Sequence, residues 1–321
     1  MHQSIPPKTS PGPGVIAESQ IVPPPGPPAF SLHVDGPVPE DALYISRDAD
    51  DDLFEGLLRG ELCYLLAPPR SGKSSLAARV ARRLQGRGVR TVNIDLQRIS
   101  HRVSLEGFAY ALVGQLAEGL GLGDPTGFFV KHEALSPSER FSIYLREELL
   151  NHITAPVVVF IDEIDALQML RSGADDFAAV IRGIYEDRPQ VAALRRLSFC
   201  LIGSQPPEEL LSPRPSQTSM PTAPTKAAAP RQSPFPTARI IELRDFSPAE
   251  AALLLTPVAQ SGDGDAPQLL KRVLYWTDGH PHMTIRLVQA LTRTRRSFAT
   301  NDDEHVDRLV QKLLIAQSGG D

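Results

Sequence analysis

The sequence predicts an α/β protein: a parallel sheet with helices on both faces, followed by a smaller all-helical portion. Three observations lead there. Short apolar runs alternate with amphipathic helical stretches from residue 61 to 243. One of those runs, "PVVVFI", has no polar break, as a parallel strand buried on both faces requires. Beyond "RDFSPAEAALLL" every signal is helical.

The elements follow in order. "ELCYLL" (61–66) reads as a strand. "SSLAARVARRL" (74–84) reads as a helix with Leu76, Ala77, Val80, Ala81 and Leu84 on one face and Arg79, Arg82 and Arg83 on the other. "VRTVNIDL" (89–96) is a second strand, followed by helices near 104–118 and 138–152, and "PVVVFI" (156–161) is the third strand. "DDFAAVIRGIY" (175–185) sets Phe177, Val180, Ile181, Ile184 and Tyr185 on one helical stripe. "RLSFCLIG" (196–203) and "ARIIEL" (238–243) supply two more strands. Ser247 then stands as an N-cap, Pro248 takes the first helical position and Glu250 completes a capping box, so a helical subdomain is expected from about Phe246.

Eleven of the 30 prolines fall within residues 1–40 and nine within 206–236, which divides the chain. The expectation is a disordered arm over 1–40, an α/β core over 41–245 carrying a disordered insertion at about 206–236, and the helical subdomain over 246–321. A net charge of −5 gives no global attraction to nucleic acid or an anionic membrane. No apolar stretch reaches membrane-spanning length and "MHQSIPPKTS" has no apolar signal region, so the cytoplasm is expected. Cys63 and Cys200 sit in apolar runs and read as buried thiols.

"APPRSGKSSL" (67–76) carries the chemistry. In G-x-x-x-x-G-K-[ST] a tight turn aims backbone N–H groups at phosphates, lysine reaches the β and γ oxygens, and the hydroxyl takes magnesium. Gly72, Lys73 and Ser74 stand where that pattern needs them, between a strand and a helix. Ala67 replaces the first glycine. Pro68 and Pro69 stiffen the entry and remove two donors, and Arg70, Ser71 and Ser75 complete the loop. The second half of such a site is an acid at the end of a buried strand. "VVVFIDEID" supplies Asp162 for the metal and Glu163 to orient or deprotonate a water, with Asp165 either a polar neighbour or a helix start.

Together, "YISRDADDDLFEGLLRGELCYLLAPPRSGKSSLAARVARRL", "VVVFIDEIDAL", "RIIELRDFSPAEA" and "LLKRVLYWTDGHPHMTIRLV" resemble the bacterial AAA-like ATPase domain, of the STAND/AAA+ type of P-loop NTPase. The resemblance covers residues 40–316. It implies a five-stranded P-loop sheet of order 5-1-4-3-2 under a helical lid, ATP with Mg2+ as cofactors, and a slow or partner-activated ATPase that acts as a signalling switch on a protein effector. A homo-oligomer is a candidate assembly. It further implies that Lys73 and Ser74 hold phosphate and metal, and that Asp162 and Glu163 form the acidic motif. Pro281 of "Gly279-His280-Pro281" would approach the nucleotide from the lid, and Arg47 would lie near the base.

The chain departs from the family pattern in its long proline-rich insertion, and in placing Ser204 and Gln205, with no arginine, at the polar sensor position after the fourth strand. Two other readings compete. One is a DNA-associated ATPase of the origin-recognition or helicase-loader kind, suggested by the arginines of "RLVQALTRTRRS" but set second because Arg286 and its neighbours also fit a solvated helix face. The other is a nucleotide-binding scaffold. Nucleic acid and membrane are therefore not the expected partners. Arg239, Arg195 and Arg196 are the candidates for an arginine acting on a neighbouring subunit.

Overall fold

The five apolar runs become five parallel strands: β1 (Cys63–Leu66), β2 (Arg90–Asp95), β3 (Val157–Asp162), β4 (Leu197–Gly203) and β5 (Arg239–Glu242). The computed structural model describes residues 31–34, 36–99, 104–170, 173–210, 233–260, 264–294 and 301–318. Across the sheet the order is β2-β3-β4-β1-β5, the expected 5-1-4-3-2 read from the opposite edge. Arg90 pairs with Val157, Val157 with Leu197, and Cys63 with both Cys200 and Arg239, so every strand starts at the same end. The loops leaving the other end are where open parallel sheets bind ligands.

Strand alternation sorts the side chains into two cores. Val157, Val159, Ile161, Leu197, Phe199 and Leu201 face α3 (Leu105–Leu120), α5 (Pro137–Ile143) and α7 (Gly173–Glu186). Val158, Phe160, Cys200, Ile202 and Leu65 point the other way, onto α1 (Asp48–Leu58) and α2 (Lys73–Gln85). No residue of Val157–Ile161 is more than 2% exposed, which explains why this strand carries no polar alternation. Cys63 and Cys200 are buried as expected, and desolvation pushes the Cys63 thiol up to about 12.

Local signals set the helix ends. The Ser104 hydroxyl accepts the Gly107 N–H at the start of α3, and Gly121 closes it in the left-handed conformation. Ser136, Pro137 and Glu139 form a capping box at α5. The helix expected over 138–152 is α5 running through a π-helical turn (Tyr144–Leu149) into α6 (Leu150–His152). Two helices went unanticipated. One is α4 (Thr126–Lys131), and the other is α1, whose stripe of Leu53, Phe54 and Leu57 follows a run of aspartates.

The C-terminal layer comprises α8 (Pro248–Ala251), α9 (Leu255–Gln260), α10 (Ala266–Thr277), α11 (Pro281–Arg293) and α12 (Asp302–Ser318). Its own core includes Leu254, Leu269, Val273, Val288 and Val306. The capping box at Ser247 forms as expected. Arg272 grips both oxygens of Asp307, at 2.8 and 2.7 Å, and Trp276 Nε1 donates to the same carboxylate at 2.7 Å, which ties α10 to α12. Among the described residues no helix is long and apolar enough to cross a membrane.

Packing reaches further than the proline counts suggest. Within the expected arm, the Gln289 amide donates to the Leu32 carbonyl at 2.9 Å, and Val38 N–H donates to Ser75 Oγ at 3.1 Å. These bonds tie Leu32 to α11 and Val38 to α2. At the ends of the expected insertion, Leu210 and Phe235 are buried in the first core. Apolar anchors thus override the turn-rich composition around them. Residues 1–30, 35 and 211–232, the remainder of both expected segments, lie outside the described residues.

Candidate functional site

Residues 67–72 connect the end of β1 to the start of α2, beneath the C-terminal ends of the strands. Ala67 N–H donates to the Gly203 carbonyl at 3.1 Å, carrying the β1–β4 ladder into the loop. Arg70 (φ 62°) and Gly72 (φ 94°) take left-handed backbone, which turns the chain sharply enough to present successive N–H groups. A Cβ on Gly72 would sit 3.0 Å from Arg47 Nη2, a tight approach to a side-chain tip, so it is chiefly φ that favours glycine here. No side chain caps α2 at Gly72, and its first-turn N–H groups bring the positive end of the helix dipole to the loop.

Lys73 is buried and curls over that loop, its Nζ donating to the Ala67 carbonyl at 3.0 Å and the Pro68 carbonyl at 3.4 Å. Next to it, Ser74 Oγ donates to Asp162 Oδ2 at 3.2 Å, joining the start of α2 to the tip of β3. Asp162 Oδ1 accepts the Glu163 N–H at 2.9 Å. Burial nonetheless dominates and pushes the Asp162 carboxyl above its ordinary range, against the opposing pull of those two donors and of Lys73. Glu163 is pushed up as well, first by burial and then by the Asp162 charge. Its backbone sits at φ 57°, a left-handed conformation that costs a non-glycine residue about 1–3 kcal/mol.

A cavity of about 700 Å³ opens over these groups, a volume that suits a small-molecule ligand. Pro69, Arg70, Gly72, Lys73, Ser74 and Glu163 form its floor; Pro281, Ile285, Arg286 and Gln289 of α11 form the facing wall; and His33, Val34 and Tyr44 close one end. Arg47 and Ser75 also line it. Of the residues expected at the site, Arg47, Pro69, Arg70, Gly72, Lys73, Ser74, Ser75, Glu163 and Pro281 are brought together here. Asp162 stands behind Ser74, while Ala67, Pro68 and Ser71 contribute the loop beneath.

Ser204 is placed differently. It does not line the cavity, and its N–H and hydroxyl both donate to Asp165 Oδ2, at 2.7 and 2.6 Å. Gly203 leaves room for this corner, since a Cβ there would lie 2.6 Å from Tyr64 Oη, 2.7 Å from Ile164 Cγ2 and 3.1 Å from Asp165 Oδ1. Asp165 is therefore a polar clamp on the end of β4. The three candidate trans arginines are all engaged within the chain. Arg239 pairs with Asp52 and Glu61, Arg196 bonds the Ile153 and Leu150 carbonyls, and Arg195 bonds the Arg188 carbonyl.

Arg286 escaped the sequence reading, which weighed it for DNA contact or a solvated face. It lines the cavity instead, half-buried. The available signal was its spacing from Pro281, since Pro281, Ile285 and Gln289 recur every four residues and Arg286 adjoins that stripe. Ser71 Oγ and Arg47 Nε, both buried beside the loop, are polar atoms without a hydrogen-bond partner.

A parallel sheet of this order, a glycine-turned loop entering a helix, and an acidic pair at the neighbouring strand end define a P-loop NTPase fold. The chain belongs to the AAA-like domain family, whose model matches residues 34–216. It is similar to an uncharacterized WD repeat-containing protein of Synechocystis sp., 30% identical over 250 residues, which are 77% of this chain and 20% of that protein. The chain thus spans about a fifth of the length of that curated relative. Among solved structures it is similar to a Walker-type ATPase of Pyrococcus abyssi, at 17% identity and a TM-score of 0.53, covering 90% of this chain and 78% of that one. The ORC1 protein of Aeropyrum pernix, solved in complex with DNA, aligns at 18% identity and a TM-score of 0.48, over 83% and 64% of the two chains.

Proposed function

We propose that this chain binds ATP with magnesium, hydrolyses it slowly, and uses the difference between ATP and ADP to set the position of its C-terminal helical layer, which acts as a lid. The observation that carries this reading is the convergence of Lys73, Ser74, Glu163, Pro281 and Arg286 on one cavity, with Asp162 directly behind Ser74.

Each residue has work to do there. The N–H groups of residues 71–74 and the Lys73 ammonium would grip the β and γ phosphates. Glu163, whose burial raises its proton affinity, would accept a proton from an attacking water. Arg286 would meet phosphate charge from the facing wall. Ser74 and Asp162 are the residues that would hold magnesium. One hydroxyl and one carboxylate suit an ion that keeps most of its shell for water and phosphate, and their 3.2 Å contact shows that they already converge. Magnesium supplies charge neutralisation between phosphates when bound.

A switch needs something to control. The relative's WD repeats support a protein module as the effector, whether joined to such a domain or separate from it. ATP hydrolysis by the purified chain across a protein-concentration series, with Glu163→Gln alongside, tests the reading. Turnover that vanishes in the variant supports it. A wild type that neither binds nor hydrolyses ATP sinks it, and steeply salt-dependent binding to DNA would favour the origin-recognition reading.

A further inference from the structure

We infer that Arg47 is a positioning residue that carries the state of the phosphate loop to the helical layer. This inference rests on the nucleotide-binding reading above.

One nitrogen serves two segments. Arg47 Nη1 donates to the Ser71 carbonyl inside the loop at 2.9 Å and to the Arg244 carbonyl, on the connection leaving β5, at 3.3 Å. The guanidinium lies over the Phe246 ring, 5.3 Å from its centroid. Phe246 N–H in turn donates to the Gly279 carbonyl at 2.9 Å. A Cβ on Gly279 would fall 2.2 Å from the Phe246 carbonyl oxygen, so these two backbones can meet only because residue 279 is glycine. Two residues later Pro281 opens α11, the wall that faces Lys73 across the cavity. Contact is therefore unbroken from Ser71 through Arg47 and Phe246 to Gly279.

The arginine is built in rather than adventitious. It is 8% exposed, and its backbone N–H donates at 3.0 Å to Asp50, a buried carboxylate that also accepts the Tyr44 hydroxyl at 2.7 Å. Its Nε has no hydrogen-bond partner. The planar guanidinium holds both carbonyls through Nη1 while its face lies on the Phe246 ring, a stacking that the point charge of lysine does not offer. When the loop closes on phosphate, a displaced Ser71 carbonyl either drags the Arg244–Phe246 connection along or loses its bond. In both cases the packing of Phe246 on Gly279 changes, and α11 responds. This is a physical coupling between two segments that share a donor.

Amide hydrogen exchange, with and without a non-hydrolysable ATP analogue and magnesium, tests the link in the wild type, Arg47→Ala and Phe246→Leu. In the wild type the analogue should slow exchange in both α2 and α11, the latter about fivefold or more. At saturating analogue Phe246→Leu should keep the slowing in α2 and lose it in α11; Arg47→Ala, whose residue lines the cavity, should lose the α11 response and is read only where its α2 still slows. An α11 response of wild-type size in either variant overturns the inference, as does loss of the α2 response in Phe246→Leu, whose loop bond is intact. Should Arg47→Ala fail to fold or bind, Phe246→Leu alone decides. A wild type whose α2 ignores the analogue overturns the nucleotide-binding reading together with this one. A wild type that slows in α2 but not in α11 overturns only the coupling.

Discussion

Ser74 and Asp162, 88 residues apart in sequence, meet at 3.2 Å, and the hydroxyl donates to a carboxylate that burial has already raised above its ordinary range. In the pH window between the unfolded value near 4 and the raised folded value, the folded chain binds more protons than the unfolded one. Stability contributed by this group is therefore lost as pH rises through that window. Asp162→Asn should be more resistant to urea than the wild type at neutral pH without nucleotide or magnesium, and the gap should close as pH falls towards 4. A gap independent of pH would show that Asp162 is not the group responsible.

Asp165 accepts three donors at the end of β4: the Ser204 N–H and hydroxyl, and the Gln205 N–H at 3.3 Å. Asp165→Ala strands all of them, at about 2–4 kcal/mol for a half-buried cluster. Urea denaturation should register that loss, while Ser204→Ala, which removes only the hydroxyl, should cost about 1 kcal/mol. Equal costs would contradict the clamp.

Gly279→Ala forces a Cβ against the Phe246 carbonyl and a side chain into φ 77°. The expected cost is about 2–4 kcal/mol, felt first in the C-terminal core. Proteolysis should release fragments cut within 248–318 before the sheet is attacked. Cleavage at wild-type rates would mean that the contact relaxes without consequence.

Arg286→Ala removes a cation from the cavity wall. ATP affinity by calorimetry should fall roughly tenfold, and ADP affinity less. Unchanged affinity for both would place the guanidinium outside the ligand's reach.

The parts of this protein legible in its sequence are the local ones. Gly72, Lys73 and Ser74 lie on consecutive positions with a strand before and a helix after, and "VVVFIDEID" carries its burial pattern and its acids in nine letters. The strand order came from a family resemblance, because no periodicity reports which strand lies beside which. What stayed hidden depends on contacts between distant segments. The bonds from Arg47 to Ser71 and Arg244 span 24 and 197 residues, so its position under the loop could not be read from "YISRDAD". Ser204 sits where a sensor residue would, but its hydroxyl goes to Asp165, and no spacing rule gives the direction of a hydroxyl. The aspartates of α1 masked its apolar stripe, although they are favourable at a helix N-terminus.

The tie between Trp276 and Asp307 has an optical consequence. The chain contains one tryptophan, and it stands on α10, half-exposed, with its indole N–H held by a carboxylate of α12. Excited at the red edge, beyond tyrosine absorption, its fluorescence therefore originates within the C-terminal helices, without a contribution from the tyrosines of the sheet. Any rearrangement that lengthens the indole–carboxylate bond alters both the polarity around the ring and its access to a quencher. Emission wavelength and acrylamide quenching followed during a nucleotide titration would thus report on that layer alone, with no dye attached and no residue replaced.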